Sequence, residues 1–287
     1  MKKIMVTLFC LVLISGFASA QVYFRAGGGY ALPIATESVG EMQTETESYD
    51  GNNYTSTDKT KNVSASYGSG INFNAGGGFM FSEFLGVDLS ISYLIGKKYD
   101  TGDSYKSYVN GSLSGTNESI ITTSSKAIFI TPSFVISTGG AHAPYGRFGV
   151  VLGSPKIKSE ESYYYDLDGI DTGARKGEYK GGMSAGFQGA VGMNWTLAAN
   201  IKLYTEVNFT SMTFYAKEYN LTESSYNGVS NLNQLTVSQK KTEFVKEIDN
   251  NTQQDATKPT QALRQGAPFS SLSLQVGIVY SIGGKNM

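Results

Sequence analysis

Between residues 271 and 282 the side chains alternate with almost no slip. Leu272, Leu274, Val276, Ile278, Tyr280 and Ile282 are large and apolar, while Ser271, Ser273, Gln275, Gly277 and Ser281 hold most positions between them. A period of two describes a strand with one greasy and one polar face. Related alternation marks residues 22–32, 71–81, 87–95, 128–136, 144–152, 185–193 and 201–215. After the first twenty residues no run approaches the roughly 20 apolar residues of a membrane helix. If such a chain crosses a bilayer it must do so as a closed barrel, because an open sheet leaves backbone groups unpaired in lipid.

The opening has a different character. Met1-Lys2-Lys3, an apolar run at residues 4–14 and Ala18-Ser19-Ala20 form the charged start, short greasy middle and small-residue exit of a secretory signal peptide. Cleavage after Ala20 leaves residues 21–287 as a single exported domain. Removing Lys2 and Lys3 takes the formal charge from -1 to -3, and removes the single cysteine, Cys10. The mature chain therefore has no disulfide, and its slightly acidic balance leaves no electrostatic footprint for nucleic acid.

The connections between the alternating segments sort by length. Residues 82–85, 138–143 and 196–200 read as tight turns. Residues 35–69, 100–124, 154–183 and 216–268 read as long polar loops rich in Ser, Thr, Asn and Tyr. A soluble β-sandwich has no reason to sort its loops this way, whereas outer-membrane barrels have short periplasmic turns and long outer loops. The expected fold is all-β, an eight-stranded antiparallel up-and-down transmembrane β-barrel with both ends on the short-turn side. Alternation alone does not say which face is inward, so a lipocalin-like barrel of opposite polarity stays open at this point. A ten-stranded form, with residues 234–246 as an extra hairpin, is the other alternative.

Arg25-Ala26-Gly27-Gly28-Gly29-Tyr30, Leu85-Gly86-Val87-Asp88-Leu89 and above all Pro144-Tyr145-Gly146-Arg147-Phe148-Gly149 resemble the outer-membrane β-barrel domain family of Bacteroidetes-type bacteria, akin to the OmpA and OmpX class. Gln275, Gly277, Tyr280 and Ile282 are similar to the terminal signal through which such barrels are assembled. The resemblance implies an integral protein of a Gram-negative outer membrane, monomeric, with the bilayer and the barrel-assembly machinery as partners.

The polar faces carry the most informative set. Arg25, Asp88, Arg147, Lys202 and Glu206 all follow a short turn by a few residues, with the parity opposite to the greasy face. They are expected to meet in the lower lumen as an ion-pair network, with Asn72, Gln188, Asn194 and Gln275 as hydrogen-bonding neighbours, because charges in a narrow barrel must pair or be hydrated.

Other motifs fail on context. Asp100-Thr101-Gly102 and Asp171-Thr172-Gly173 lack the apolar flanks of an aspartic protease and read as turns. Gly182-Met183-Ser184-Ala185-Gly186 is not followed by a helix, and the sole histidine, His142, is expected at the opposite end of the barrel. Asp166, Asp168 and Asp171 are a weak calcium candidate without the completing glutamate. No catalytic or cofactor-binding constellation converges. Tyrosines scattered among Ser, Asn and Gly in the loops give contact area at low entropy cost, which points to a structural or surface-interaction role toward an extracellular protein or glycan. A small gated channel through the charged lumen is the alternative.

Overall fold

The structure is a computed structural model that describes residues 21–166, 169–248 and 255–282; the expected signal peptide and Asp168 lie outside the described residues. Eight strands pair antiparallel, each with the next, into a closed ring: β1 (Gln21–Pro33), β4 (Gly70–Met80), β5 (Leu85–Gly96), β7 (Ser112–Ser137), β8 (His142–Asp166), β10 (Ser184–Ala198), β11 (Ile201–Tyr226) and β16 (Ser271–Ile282). Each contains, to within one residue, one of the eight alternating segments of the sequence, and β7, β8 and β11 extend well beyond theirs into stretches expected as loops. The last strand closes the ring on the first, with Val22 opposite Ile282 and Pro33 opposite Ser271.

The ring turns its apolar face outward. Phe24, Phe73, Ile91, Phe134, Phe187 and Leu274 are all exposed, from 53% for Phe24 and Ile91 to 69% for Phe134. The inward positions are polar and buried: Arg25, Asn74, Asp88, Ser90, Thr131, Arg147, Glu206 and Asn208. This polarity is the reverse of a lipocalin's and removes that alternative. Three connections of two to four residues, at 81–84, 138–141 and 199–200, sit at one end together with Gln21 and Ile282. At the first of them Ser82 Oγ accepts from the backbone N–H of Leu85 at 2.9 Å, tightening the turn.

Among the described residues the four long polar stretches are largely strand rather than irregular loop. β7, β8 and β11, at 25 to 26 residues, run on past the ring and exchange partners as they leave it. β7 passes from β5 to β6 (Tyr99–Val109), and β8 from β10 to β9 (Ile170–Gly181). The hairpin of β2 (Glu37–Tyr49) and β3 (Tyr54–Ala65) joins this upper tier by parallel pairing of β2 with β6. The result above the ring is an open sheet with β3 at one edge. Thr, Ser and Tyr favour extended backbone, and the protruding strands offer unpaired edges on which more chain can zip. Residues 234–246 do not insert a further hairpin into the ring. They hold a single helical turn, Val237–Lys240, capped by Thr236, and β13 (Lys241–Val245), which pairs with β11 above the ring and with β14 (Thr260–Leu263). Two short strands, β12 (Val229–Ser230) and β15 (Gly266–Pro268), also pair with β11.

Candidate functional site

The lower lumen is organised by cross-strand rows that repeat one pattern. Tyr23 lies opposite Gly78, and Gly78 opposite Asp88; the Tyr23 hydroxyl crosses the glycine and donates to Asp88 Oδ2 at 3.0 Å. Tyr145 lies opposite Gly192, and Gly192 opposite Glu206; Tyr145 donates to Glu206 Oε2 at 2.8 Å. Tyr204 lies opposite Gly277, which faces Gly27, which faces Asn74; Tyr204 donates to Asn74 Oδ1 at 2.9 Å. Neighbouring strands are about 4.8 Å apart, so a tyrosine reaches the second strand only if the strand between presents bare backbone.

The charges sit against these rings. Arg147 donates from Nε and Nη2 to the two oxygens of Glu206 at 3.0 and 2.9 Å, and from Nη1 to Asp88 Oδ1 at 2.9 Å. Arg25 donates from Nη2 to Glu206 Oε2 at 3.1 Å, its guanidinium 4.2 Å from the centre of the Tyr204 ring. All four charged side chains are 5% exposed or less. Two cations meet two anions with their oxygens satisfied, which is the condition for charge to persist away from water.

Arg25, Asp88, Arg147 and Glu206 are thus brought together as their parity required. Lys202 is not: among the described residues no ion pair joins it, and Val279 separates it from Arg25 in the same row. Gln275 accepts from Asn74 Nδ2 at 2.9 Å, and Gln188 donates to Asn208 at 3.0 Å. Asn72 Oδ1 and Asn194 Oδ1 are buried without a partner. Gly277 sits at the closing seam opposite Gly27, while Tyr280 and Ile282 face outward beside Phe24 and Val22. Sequence reasoning missed Tyr23, Tyr145, Tyr204 and Asn74. A signal was present, since each tyrosine stands two residues before a charge: Tyr23-x-Arg25, Tyr145-x-Arg147 and Tyr204-x-Glu206.

Above the polar layers the lumen is capped by an apolar cluster, with Tyr67, Leu94, Val151, Met212, Phe214 and Phe269 buried. Two chain segments fold in to build it. Tyr67 N–H donates to Pro268 O, and Phe269 N–H to Met212 O, both at 2.8 Å. Ser125 Oγ donates to Tyr67 O at 2.6 Å, and Tyr99 Oη to Ser66 O at 3.0 Å. Between cap and ion network lies a cavity of about 30 Å³.

The upper tier exposes Tyr49, Tyr54, Tyr165 and Tyr226. Glu47 accepts from Tyr105 Oη at 2.6 Å and from Tyr54 Oη, tying the β2–β3 hairpin to β6. These two bonds, Tyr105 first, hold the Glu47 carboxyl below the usual carboxylate range. A depressed carboxyl contributes its clamp above the ordinary value of about 4.3 and loses it as pH falls through the lower folded value. Protection of the β2 and β3 amides, taken as exchange relative to the intrinsic rate at each pH, is therefore expected to fall as pH drops below the ordinary carboxylate range, with a shallower acid limb in Glu47→Gln; equal acid limbs in both proteins would refute the clamp.

The remaining candidates do not assemble. Asp171 accepts from Tyr226 Oη at 2.7 Å and Asn227 Nδ2 at 2.8 Å, and Asp166 from Tyr164 Oη at 3.3 Å. Among the described residues no group of three metal-ligating side chains forms. Asp100 and Asp171 lie on β6 and β9, with β7 and β8 between them. Ser184 pairs with Gly153 and Trp195 with His142, at opposite ends of β10, so a Ser-His relay has no geometry.

No family model matches the chain, and no curated protein sequence does. Among solved structures, the chain is similar to the outer membrane protein OprG from Pseudomonas aeruginosa, at 11% sequence identity and a TM-score of 0.42, over 93% of this chain and 97% of that one.

Proposed function

We propose that this protein is an integral outer-membrane β-barrel, closed to transport, that serves as a rigid base for a surface-recognition sheet. The observation that carries the reading is the inverted polarity of the ring, greasy outside and ion-paired inside. In β1 the outward positions from Val22 to Leu32 span about 33 Å of strand, which at a tilt near 40° is about 25 Å of height, the thickness of an outer-membrane apolar band. The short-turn end then faces the periplasm and the upper tier faces out. Barrel-assembly machinery is the expected partner for insertion, and the folded protein is expected to be a monomer.

Cell fractionation with heat-modifiable gel mobility tests the membrane assignment; a soluble protein without a mobility shift would sink it. The recognition reading rests on the exposed tyrosines of the upper tier, set among Ser, Thr and Asn, with an extracellular protein or glycan as ligand. Deleting residues 37–61 is expected to reduce attachment of cells to host or matrix surfaces while leaving the mobility shift intact, and unchanged attachment counts against it. A gated passive channel is disfavoured by the filled lumen and its apolar cap, as in other barrels of this width, whose interiors side chains fill. In a planar bilayer no conductance steps are expected, and steps above baseline would reinstate the channel.

A further inference from the structure

The short-turn end of the barrel holds a cavity of about 130 Å³, lined by Tyr23, Arg25, Tyr145, Arg147, Asn194 and Lys202 among others. Its donors and acceptors do not balance. Glu206 already accepts from Arg25, from Tyr145 and twice from Arg147. Asp88 accepts from Arg147 and Tyr23. These carboxylate oxygens are therefore taken, and the unpartnered buried acceptor of the lining, Asn194 Oδ1, is a neutral amide that cannot balance a cation, while charged donors remain. Arg25 is 5% exposed, and its Nε is enclosed without a hydrogen-bond partner. An enclosed N–H with no acceptor costs free energy comparable to a lost hydrogen bond. Lys202 stands in the same row, past Val279, with no ion pair among the described residues. Glu83 lies at the rim, exposed, and is paired with neither cation.

We propose that this cavity binds a small oxyanion, phosphate-type or carboxylate, held between the Lys202 ammonium and the free Nε–H of Arg25. Both contacts are charge-assisted, and together they answer the Lys202 ammonium, which has no ion pair among the described residues, and the enclosed Nε–H of Arg25 that its pairing with Glu206 leaves unpartnered. The site lies within the ring and does not depend on what the upper tier binds.

The test uses the full-length folded protein in detergent micelles, and follows its unfolding rate by loss of the heat-modifiable form. Inorganic phosphate and acetate are titrated separately against chloride at constant ionic strength. A saturable slowing with either anion is expected, and the two titrations tell a phosphate-type from a carboxylate ligand. In Lys202→Met the half-saturating concentration is expected to rise roughly tenfold to a hundredfold, the worth of one hydrogen bond to a charged group, with Lys202→Arg restoring most of it. Crystals soaked in selenate should show anomalous density within hydrogen-bond reach of Arg25 Nε. Three results would overturn the proposal: no difference from chloride in the wild-type protein, an unchanged response in Lys202→Met, or water alone at Arg25 Nε. The wild-type titration decides the matter even if a variant fails to fold.

Discussion

Glu206→Leu is expected to lower the unfolding free energy by about 3–5 kcal/mol, the range for removing one partner of a buried ion pair. Glu206 is the hub of the lower lumen, 3% exposed and bonded to Arg25, Arg147 and Tyr145. Among the described residues its removal takes away the one ion pair of Arg25, leaving that guanidinium only the Tyr204 ring face, and leaves Arg147 only Asp88. The informative comparison is the fourfold variant Arg25→Met, Asp88→Leu, Arg147→Met, Glu206→Leu. Replacing a whole buried network with apolar groups of similar volume is often neutral, so this variant should recover most of the loss. Urea unfolding in lipid vesicles measures both. If the fourfold variant is no more stable than Glu206→Leu alone, uncompensated charge is not the source of the cost.

Gly277→Val is the second large effect, expected to cost about 3 kcal/mol or more, above the usual range for overpacking. A Cβ at this position would overlap Ala26 O, the Tyr204 ring and Gly27 Cα. Two of these are backbone atoms of the strand that closes the ring, so no rotamer change relieves the collision. Tyr204 would also lose its path to Asn74. Gly189→Val is the control, since a Cβ there meets nothing within 4 Å. The fraction of heat-modifiable protein after refolding should fall sharply in the first and barely in the second. Comparable refolding of the two would show that the seam tolerates bulk.

The ring and four members of its ion network were legible because two simple periodicities coincide there. Period two assigns the face, and the distance from a short turn assigns the height, so Arg25, Asp88, Arg147 and Glu206 had to meet. Lys202 has the same parity but stands four residues nearer the turn than Glu206 on the same strand, about 13 Å lower along it, and its place in the row behind Val279 depends on how the ring staggers, which one strand's sequence does not carry. The Tyr-Gly rows were hidden for a related reason, since they run across strands whose register no local pattern states. The upper tier was unreadable as strand because β3 is exposed on both faces along most of its length; with neither face buried, no alternation is selected. Tyr67 and Phe269 are single aromatics in polar surroundings, and only the closed structure reveals that both fold into the cap.

The closing pair has a consequence in time. Along the ring the strands follow chain order, so each pairing except one can form as its strand arrives. The exception joins Val22 to Ile282, from nearly opposite ends of the chain, and contacts so distant in sequence are slow to find. Until then β1 and β16 each carry a bare edge able to pair with the wrong strand. The molecule is therefore most vulnerable in the interval before its last twelve-residue strand arrives, and a helper that shields the edge of β1 acts where the delay is longest.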